Sequence, residues 1–459
     1  MRRQRIVNQL NVSDFIAKSD FRRFHFFLLV IGFFCVIFDG YDTAVFGAIL
    51  PPIMKEWHLS AVEAGALGSY SLFGMLFGSI TFGVLSDRFG RKRMVAVTVV
   101  LFSLFTALGG VAPGPRLFGL FRFIAGLGLG GILPNAIAML TDYSPRKTRT
   151  TITAIVMCGY CLGGMLSPLI GILAIASYGW RFVLWMGAVP LIFLPLAYRY
   201  MPESSFILLR EGRRQELLAL LSRINPARKI ESDAQLYEAH EVSARIPLAG
   251  LFTENRAMST AMFTTAIFFH LILGYGLINW LPKLMLEAGF TMRSSLMFLL
   301  VLQCGAIVGT VVMGYVGDRY PLKRILTGLY LLGSVTMVLF ALNRNATWAY
   351  VLIAVAGVPV VGAQNLVQVY MSQFYPVFVR STALGFSSSV GRIGGMLGPL
   401  LAGWLVSMSF SIHNMFFTFA IPGLCSALAI SAVQHRHSSD RSRDTGARLH
   451  VPLIGELEK

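Results

Sequence analysis

Twelve apolar stretches follow one another along this chain, each long enough to cross a bilayer, which takes about 20 residues of helix. They fall at roughly 24–50, 62–85, 94–112, 116–141, 150–177, 181–199, 258–281, 293–316, 324–342, 346–371, 381–407 and 411–433. Only 13% of the 459 residues are charged and 55% are hydrophobic, too little charge to cover a water-facing surface of ordinary composition. The pattern predicts an all-α membrane protein of twelve transmembrane helices. The first stretch holds two aspartates and exceeds the apolar core of a signal peptide, so it is expected to be retained.

A shift of 231 residues brings the two halves of the sequence into register. GVLSDRFGRKR (83–93) meets GYVGDRYPLKR (314–324), Pro145 and Arg149 meet Pro376 and Arg380, and GGMLSP (163–168) meets GGMLGP (394–399). One offset shared by such separated motifs predicts two six-helix, pseudo-symmetric bundles related by an axis along the membrane normal, with a ligand site between them. The expected divisions are an N-terminal tail (1–23), a first bundle (24–199), a linker (200–257), a second bundle (258–433) and a polar, basic, disordered tail (434–459). Within the linker, ESSFILLREGRRQELLALLSRI reads as one or two amphipathic helices lying at the membrane surface.

The formal charge of +17 is sorted by loop. With the N-terminus cytoplasmic, 31 of the 39 Lys and Arg fall on the cytoplasmic side, six on the other, and Arg122 and Arg392 lie within spans. That asymmetry follows the positive-inside rule, so the charge sets topology and does not point to nucleic acid. It predicts a multi-pass plasma-membrane protein, a bacterial inner-membrane protein by this topology, with both termini cytoplasmic. All five cysteines fall in spans, and Cys158 and Cys161 read as small packing residues rather than a redox or metal pair. No phosphate loop, metal cluster or nucleophile constellation is present in the sequence, so neither an enzyme nor a cofactor is expected.

Between spans two and three lies the string G-x-L-S-D-R-x-G-R-K-R, comprising Gly83, Asp87, Arg88, Gly90 and Arg91. Gly83 would permit close helix approach, Asp87 would face a neighbouring helix N-terminus, and the basic residues would hold the turn in the cytoplasm. Its second copy carries Asp318 and Arg319 but has Pro321 and Leu322 in place of Gly90 and Arg91. The loop resembles the signature loop of the major facilitator superfamily. That resemblance, which covers nearly all of 24–433, implies alternating access with these loops as gates, and the second copy is expected to latch less tightly.

Asp39 and Asp42, in FDGYDTAVFGAILP, are spaced i, i+3 and so are expected to share a helix face. A charge at membrane depth costs about 3 kcal/mol or more, so acids there point to function, and desolvated carboxyls suit proton exchange. The alternative is a structural ion pair with Arg122. At 1.5 Å per residue, Arg122 lies about 9 Å and Asp42 about 12 Å below the outer ends of their spans, so the two can meet. Gly126 and Gly130, following Arg122 at four-residue steps, make a groove for a neighbouring helix. The Asp-Gly-x-Asp string resembles the aromatic acid:proton symporter family within the superfamily, and Arg122 resembles its proton-coupling arginine.

Arg392, flanked by Gly391, Gly394 and Gly395, lies near the midplane with no acid of its own half at that depth. A substrate carboxylate would satisfy it through two hydrogen bonds; pairing with Asp39 across the halves is the alternative. His270 falls opposite Asp39 at the 231-residue offset, as a proton relay or a satisfied core histidine. Tyr41, Tyr160, Trp280 and Phe386 are candidates for an aromatic-lined cavity, and Asn135, Gln364, Asn365 and Gln368 for contacts to ring hydroxyls. The expected function is proton-driven import of an aromatic carboxylate such as benzoate or hydroxybenzoate by a monomer, with protons as the coupling ion. A proton-coupled exporter, a symporter of a non-aromatic organic acid and a non-transporting membrane receptor are the alternatives. GGMLSP, where exporters of this kind carry Gly-Pro, and the lack of an appended signalling domain count against the first and last.

Overall fold

The computed structural model describes residues 9–226, 235–237, 251–252, 256–317, 319–343 and 345–434. Its twelve spans are α1 (Arg23–Glu56), α2 (Ala61–Phe89), α3 (Arg91–Gly109), α4 (Pro115–Tyr143), α5 (Arg149–Tyr178), α6 (Trp180–Tyr200), α7 (Ala257–Glu287), α8 (Met292–Gly317), α9 (Leu322–Leu342), α10 (Ala346–Phe374), α11 (Val377–Ser407) and α12 (Ile412–Ala432). The protein is a multi-pass membrane protein. The largest departures from the hydropathy reading are at α1 and α7, which continue through Pro51, Pro52 and Pro282 to Glu56 and Glu287. Packed neighbours at membrane depth re-satisfy the carbonyls that a proline frees, so these residues bend rather than end a span.

The repeat is visible in three dimensions. Ala61, Arg91 and Pro115 open α2, α3 and α4, and the residues 231 further on, Met292, Leu322 and Ala346, open α8, α9 and α10. In the first half α1 packs on α5 and α2 on α4; in the second α7 packs on α11 and α8 on α10. The α2–α4 crossing relies on glycine: a Cβ on Gly126 would collide with the Ser71 carbonyl, and one on Gly130 with that of Met75. Backbones can approach so closely only where one of the two facing residues carries no side chain.

The halves meet along α2–α11, α5–α8 and α1–α7. Ser69 donates to the Met396 carbonyl at 2.6 Å, Gly65 lies against Pro399, Gly403 against Ala61, and Gly47 against Ile278. All of these contacts lie in the portion of the spans remote from the basic α2–α3 turn. The bundles are therefore sealed at that end and part toward the basic face.

Two additions accompany the spans on the basic face. The N-terminal segment is more than a tail: strand β1 (Gln9–Asn11) pairs in parallel with β2 (Gln235–Tyr237), and a short helix, Val12–Ala17, buries Val12, Phe15 and Ile16. The linker forms two helices, Ser205–Arg210 and Arg214–Ile224, the second burying Leu217, Leu220, Leu221 and Ile224. Those leucines share one apolar cluster with Val12 and Phe15, so the amphipathic face packs on protein. Much of the rest of the linker and the tail beyond Gln434 lie outside the described residues.

Candidate functional site

A cavity of about 230 Å3 lies between the halves, lined by residues of α1, α2, α4, α5, α7, α10 and α11. Its deep end is charged. Asp39 of α1 and Arg392 of α11 both face it, with Tyr160 of α5 and Tyr275 of α7 beside them. The two charges attract through space, yet no ion pair joins them. One Asp39 oxygen, Oδ1, is buried without a hydrogen-bond partner, while Arg392 Nη1 donates to the Met75 carbonyl. The site thus holds an acid and a guanidinium side by side, neither neutralised by the other.

Asp42 is placed differently. Both its oxygens accept from Arg122 Nη1, at 2.8 and 2.9 Å, Oδ1 also accepts from Thr106 at 2.5 Å, and the two charged side chains are 2% and 3% exposed. The expectation that Asp39 and Asp42 share a face is corrected here. Three residues on a 3.6-residue turn leave them about 60° apart, enough to send one to the cavity and the other toward α3 and α4.

His270 lines the cavity on α7, hydrogen-bonds to the Val360 backbone and meets the Tyr330 ring edge-on at 5.4 Å. Tyr160, Gln364 and Asn365 line it as well. Four other candidates do not. Tyr41 donates to the Val183 carbonyl at 2.5 Å, tying α1 to α6. Asn135 donates to the Gly131 carbonyl at 2.8 Å, within its own helix. Trp280 is fully buried and donates to the Pro399 carbonyl at 3.0 Å, in the sealed portion. Phe386 packs edge-on against Phe252 at 6.2 Å. Each was a polar or aromatic residue at membrane depth, but helix rotation takes its side chain elsewhere, to a backbone acceptor for the first three and to a second ring for Phe386.

Gln368, expected to meet a ring hydroxyl, lines the cavity too, and Tyr275, Met75, Met157 and Ser388 are lining residues that were not among the candidates. Tyr275 was legible: Leu271, Gly274, Tyr275 and Ile278 form the three- and four-residue stripe of one helix face around His270.

At the basic face, the gate differs from its expected form. A Cβ on Gly83 would meet open space, so that glycine serves no close approach here. Asp87 is exposed and its side chain makes no hydrogen bond or ion pair. The halves are parted at this end, and none of the described residues pairs with that side chain. What holds the turn is Arg91, which pairs with Asp142 and donates to the Ala138 carbonyl at 3.1 Å. Gly90 supplies a φ of 92°, open to glycine without strain. From the linker, Arg210 donates to the Arg88 carbonyl at 2.6 Å and the Asp87 carbonyl at 3.5 Å. In the second copy Arg319 stacks on Tyr315 at 4.1 Å, and Asp318 lies outside the described residues.

The family described as Major Facilitator Superfamily matches residues 32–399 and, in an overlapping second match, 304–457. The chain is 36% identical to the benzoate transport protein of Acinetobacter baylyi over 435 residues, covering 93% of each chain. It is also 36% identical to the gentisate transporter of Corynebacterium glutamicum over 410 residues, covering 88% of this chain and 86% of the relative. Among solved structures it superposes on a D-xylose–proton symporter with a TM-score of 0.70 at 17% identity, covering 88% of this chain and 97% of that one. That last likeness concerns the fold.

Proposed function

The chain belongs to the major facilitator superfamily, a family of transport proteins rather than enzymes, and on that premise we propose that it imports an aromatic carboxylate together with protons. The observation that carries this reading is the unpaired Asp39 and Arg392 at the deep end of one cavity. Arg392 offers a planar fork to a carboxylate. Asp39 takes a proton from the opposite face and gives it up at the basic face, with His270 across the same cavity as a relay. The relatives that carry benzoate and gentisate support an aromatic acid as cargo, and so do the apolar walls formed by Leu133, Met157, Ile278 and Val360.

The cycle alternates between the form described, sealed remote from the basic face, and its counterpart, in which α2–α11 and α5–α8 open and the basic face closes. Asp87 gains its partner in that second form. The Asp42–Arg122 pair braces α1 against α4 throughout. The 31-to-6 distribution of basic residues supports cytoplasmic termini and a place in the bacterial inner membrane, so the described form opens inward. The test is accumulation of radiolabelled benzoate and hydroxybenzoates in cells with and without a protonophore. Accumulation that collapses with the gradient supports symport; uptake indifferent to protonophore, or driven by sodium, rejects it.

A further inference from the structure

The cavity has a second polar end. Gln364, Asn365 and Gln368 of α10 line it, and none of their side chains hydrogen-bonds to protein; Gln364 Oε1 is buried with no donor at all. Two other amides at membrane depth behave differently, although Gln303 Oε1 on α8, outside this cavity, is likewise buried without a partner. Asn135 donates to Gly131 at 2.8 Å and Asn279 to Tyr275 at 2.7 Å, each using the carbonyl four residues earlier. The same solution is open to any helical amide and is unused at all three positions of α10. Gln368 is exposed and Asn365 half-buried, so the case rests on Gln364: a buried polar atom is as a rule hydrogen-bonded, and its Oε1 stands ready for a ligand.

Helix register sets their depth. Gln364 lies ten residues from the basic-face end of α10 at Phe374, and Arg392 fifteen from that of α11 at Val377. At 1.5 Å per residue the Cα of Arg392 is about 7.5 Å deeper than that of Gln364. The two side chains thus address different depths of one cavity, and an aromatic acid lying between them can turn its carboxylate to one and a ring substituent to the other. Whichever way its plane is turned, a carboxamide presents both a donor and an acceptor, which matches a phenolic hydroxyl that gives one hydrogen bond and takes another.

We infer that α10 reads a ring hydroxyl, so that the acid carried is a hydroxylated benzoate, with its carboxylate at Arg392 and its hydroxyl at Gln364. This rests on the aromatic-acid reading above and narrows it. A site built to bond a hydroxyl discriminates against the analogue lacking it, because its own polar groups are then left unpaired.

Calorimetric titration of purified wild type, Gln364→Leu and Gln364→Glu with benzoate, 3-hydroxybenzoate and 4-hydroxybenzoate tests this. The wild type is expected to hold at least one hydroxylated acid about tenfold tighter than benzoate, the worth of one good buried hydrogen bond. Leu should erase that ratio, and Glu, which keeps an acceptor, should preserve it even if its charge weakens all three acids together. Benzoate bound as tightly as both hydroxylated acids by the wild type overturns the inference and needs no variant, so it decides even where a substitution disturbs folding. A ratio that survives Leu, or is lost equally in Glu, also overturns it. If the wild type binds none of the three, the aromatic-acid reading falls too, an outcome distinct from equal binding of all three.

Discussion

Arg122 spans both carboxylate oxygens of Asp42 from a single nitrogen, at 2.8 and 2.9 Å, in a pocket that water does not reach. Three residues away, Asp39 has an oxygen with no partner. Two acids of one helix, both buried, are thus divided between a brace and the wall of the cavity by rotation alone.

The two should therefore respond differently to neutralisation. Asp42→Asn leaves a buried guanidinium uncompensated, a loss of about 3–5 kcal/mol for a buried pair broken on one side. Its melting temperature in detergent should fall clearly. Asp39→Asn should melt close to wild type and yet fail to accumulate substrate against a gradient. If the two variants melt alike, the division drawn here is wrong.

The gate gives a second contrast. Because Asp87 has no partner in the described form whereas Arg91 holds Asp142, Asp87→Ala should leave thermal stability unchanged and slow uptake. Arg91→Ala and Asp142→Ala should each lower stability, by about 1 kcal/mol or less for a pair this exposed, and should not add when combined. Additive losses would show that the two side chains act apart.

The seal between the halves is open to covalent test. Ser69 Oγ reaches the Met396 carbonyl at 2.6 Å, so the α2 and α11 backbones run close there. Ser69→Cys with Met396→Cys, cross-linked by a short bifunctional reagent, should stop uptake while leaving binding from the basic face intact. Uptake that continues in the cross-linked protein would mean that α2 and α11 do not separate during transport.

How far the sequence reaches can be judged residue by residue. Span number, the repeat and the pairing of Asp42 with Arg122 were legible because hydropathy, offset and depth along a helix are one-dimensional quantities. Rotation about a helix axis is not. Tyr41, Asn135, Trp280 and Phe386 sit at suitable depths but turn to Val183, Gly131, Pro399 and Phe252. Gly83 and Asp87 show a different limit: a gate has two forms, and a motif does not say which is being observed.

Arg392 carries the substrate class, and its surroundings sharpen the test. Its one hydrogen bond to protein goes from Nη1 to the Met75 carbonyl, and Asp39 lies close enough to attract it without pairing. The remaining donors of a planar, permanently charged group face the cavity. A carboxylate ligand would supply both the charge and the fork geometry. Arg392→Ala should therefore weaken binding of an aromatic acid by orders of magnitude, since the anion is left without a counter-charge in a low-dielectric site. Lys should restore only part, because it offers a point charge without the fork. The neutral amide of the same acid should bind wild type poorly and lose little more in the alanine variant, having no charge to forfeit. Fluorescence or calorimetric titration of acid and amide against the three proteins separates these cases. Were acid and amide to weaken equally, Arg392 would be acting through α2 at Met75, and the carboxylate would have to be sought at another cavity residue.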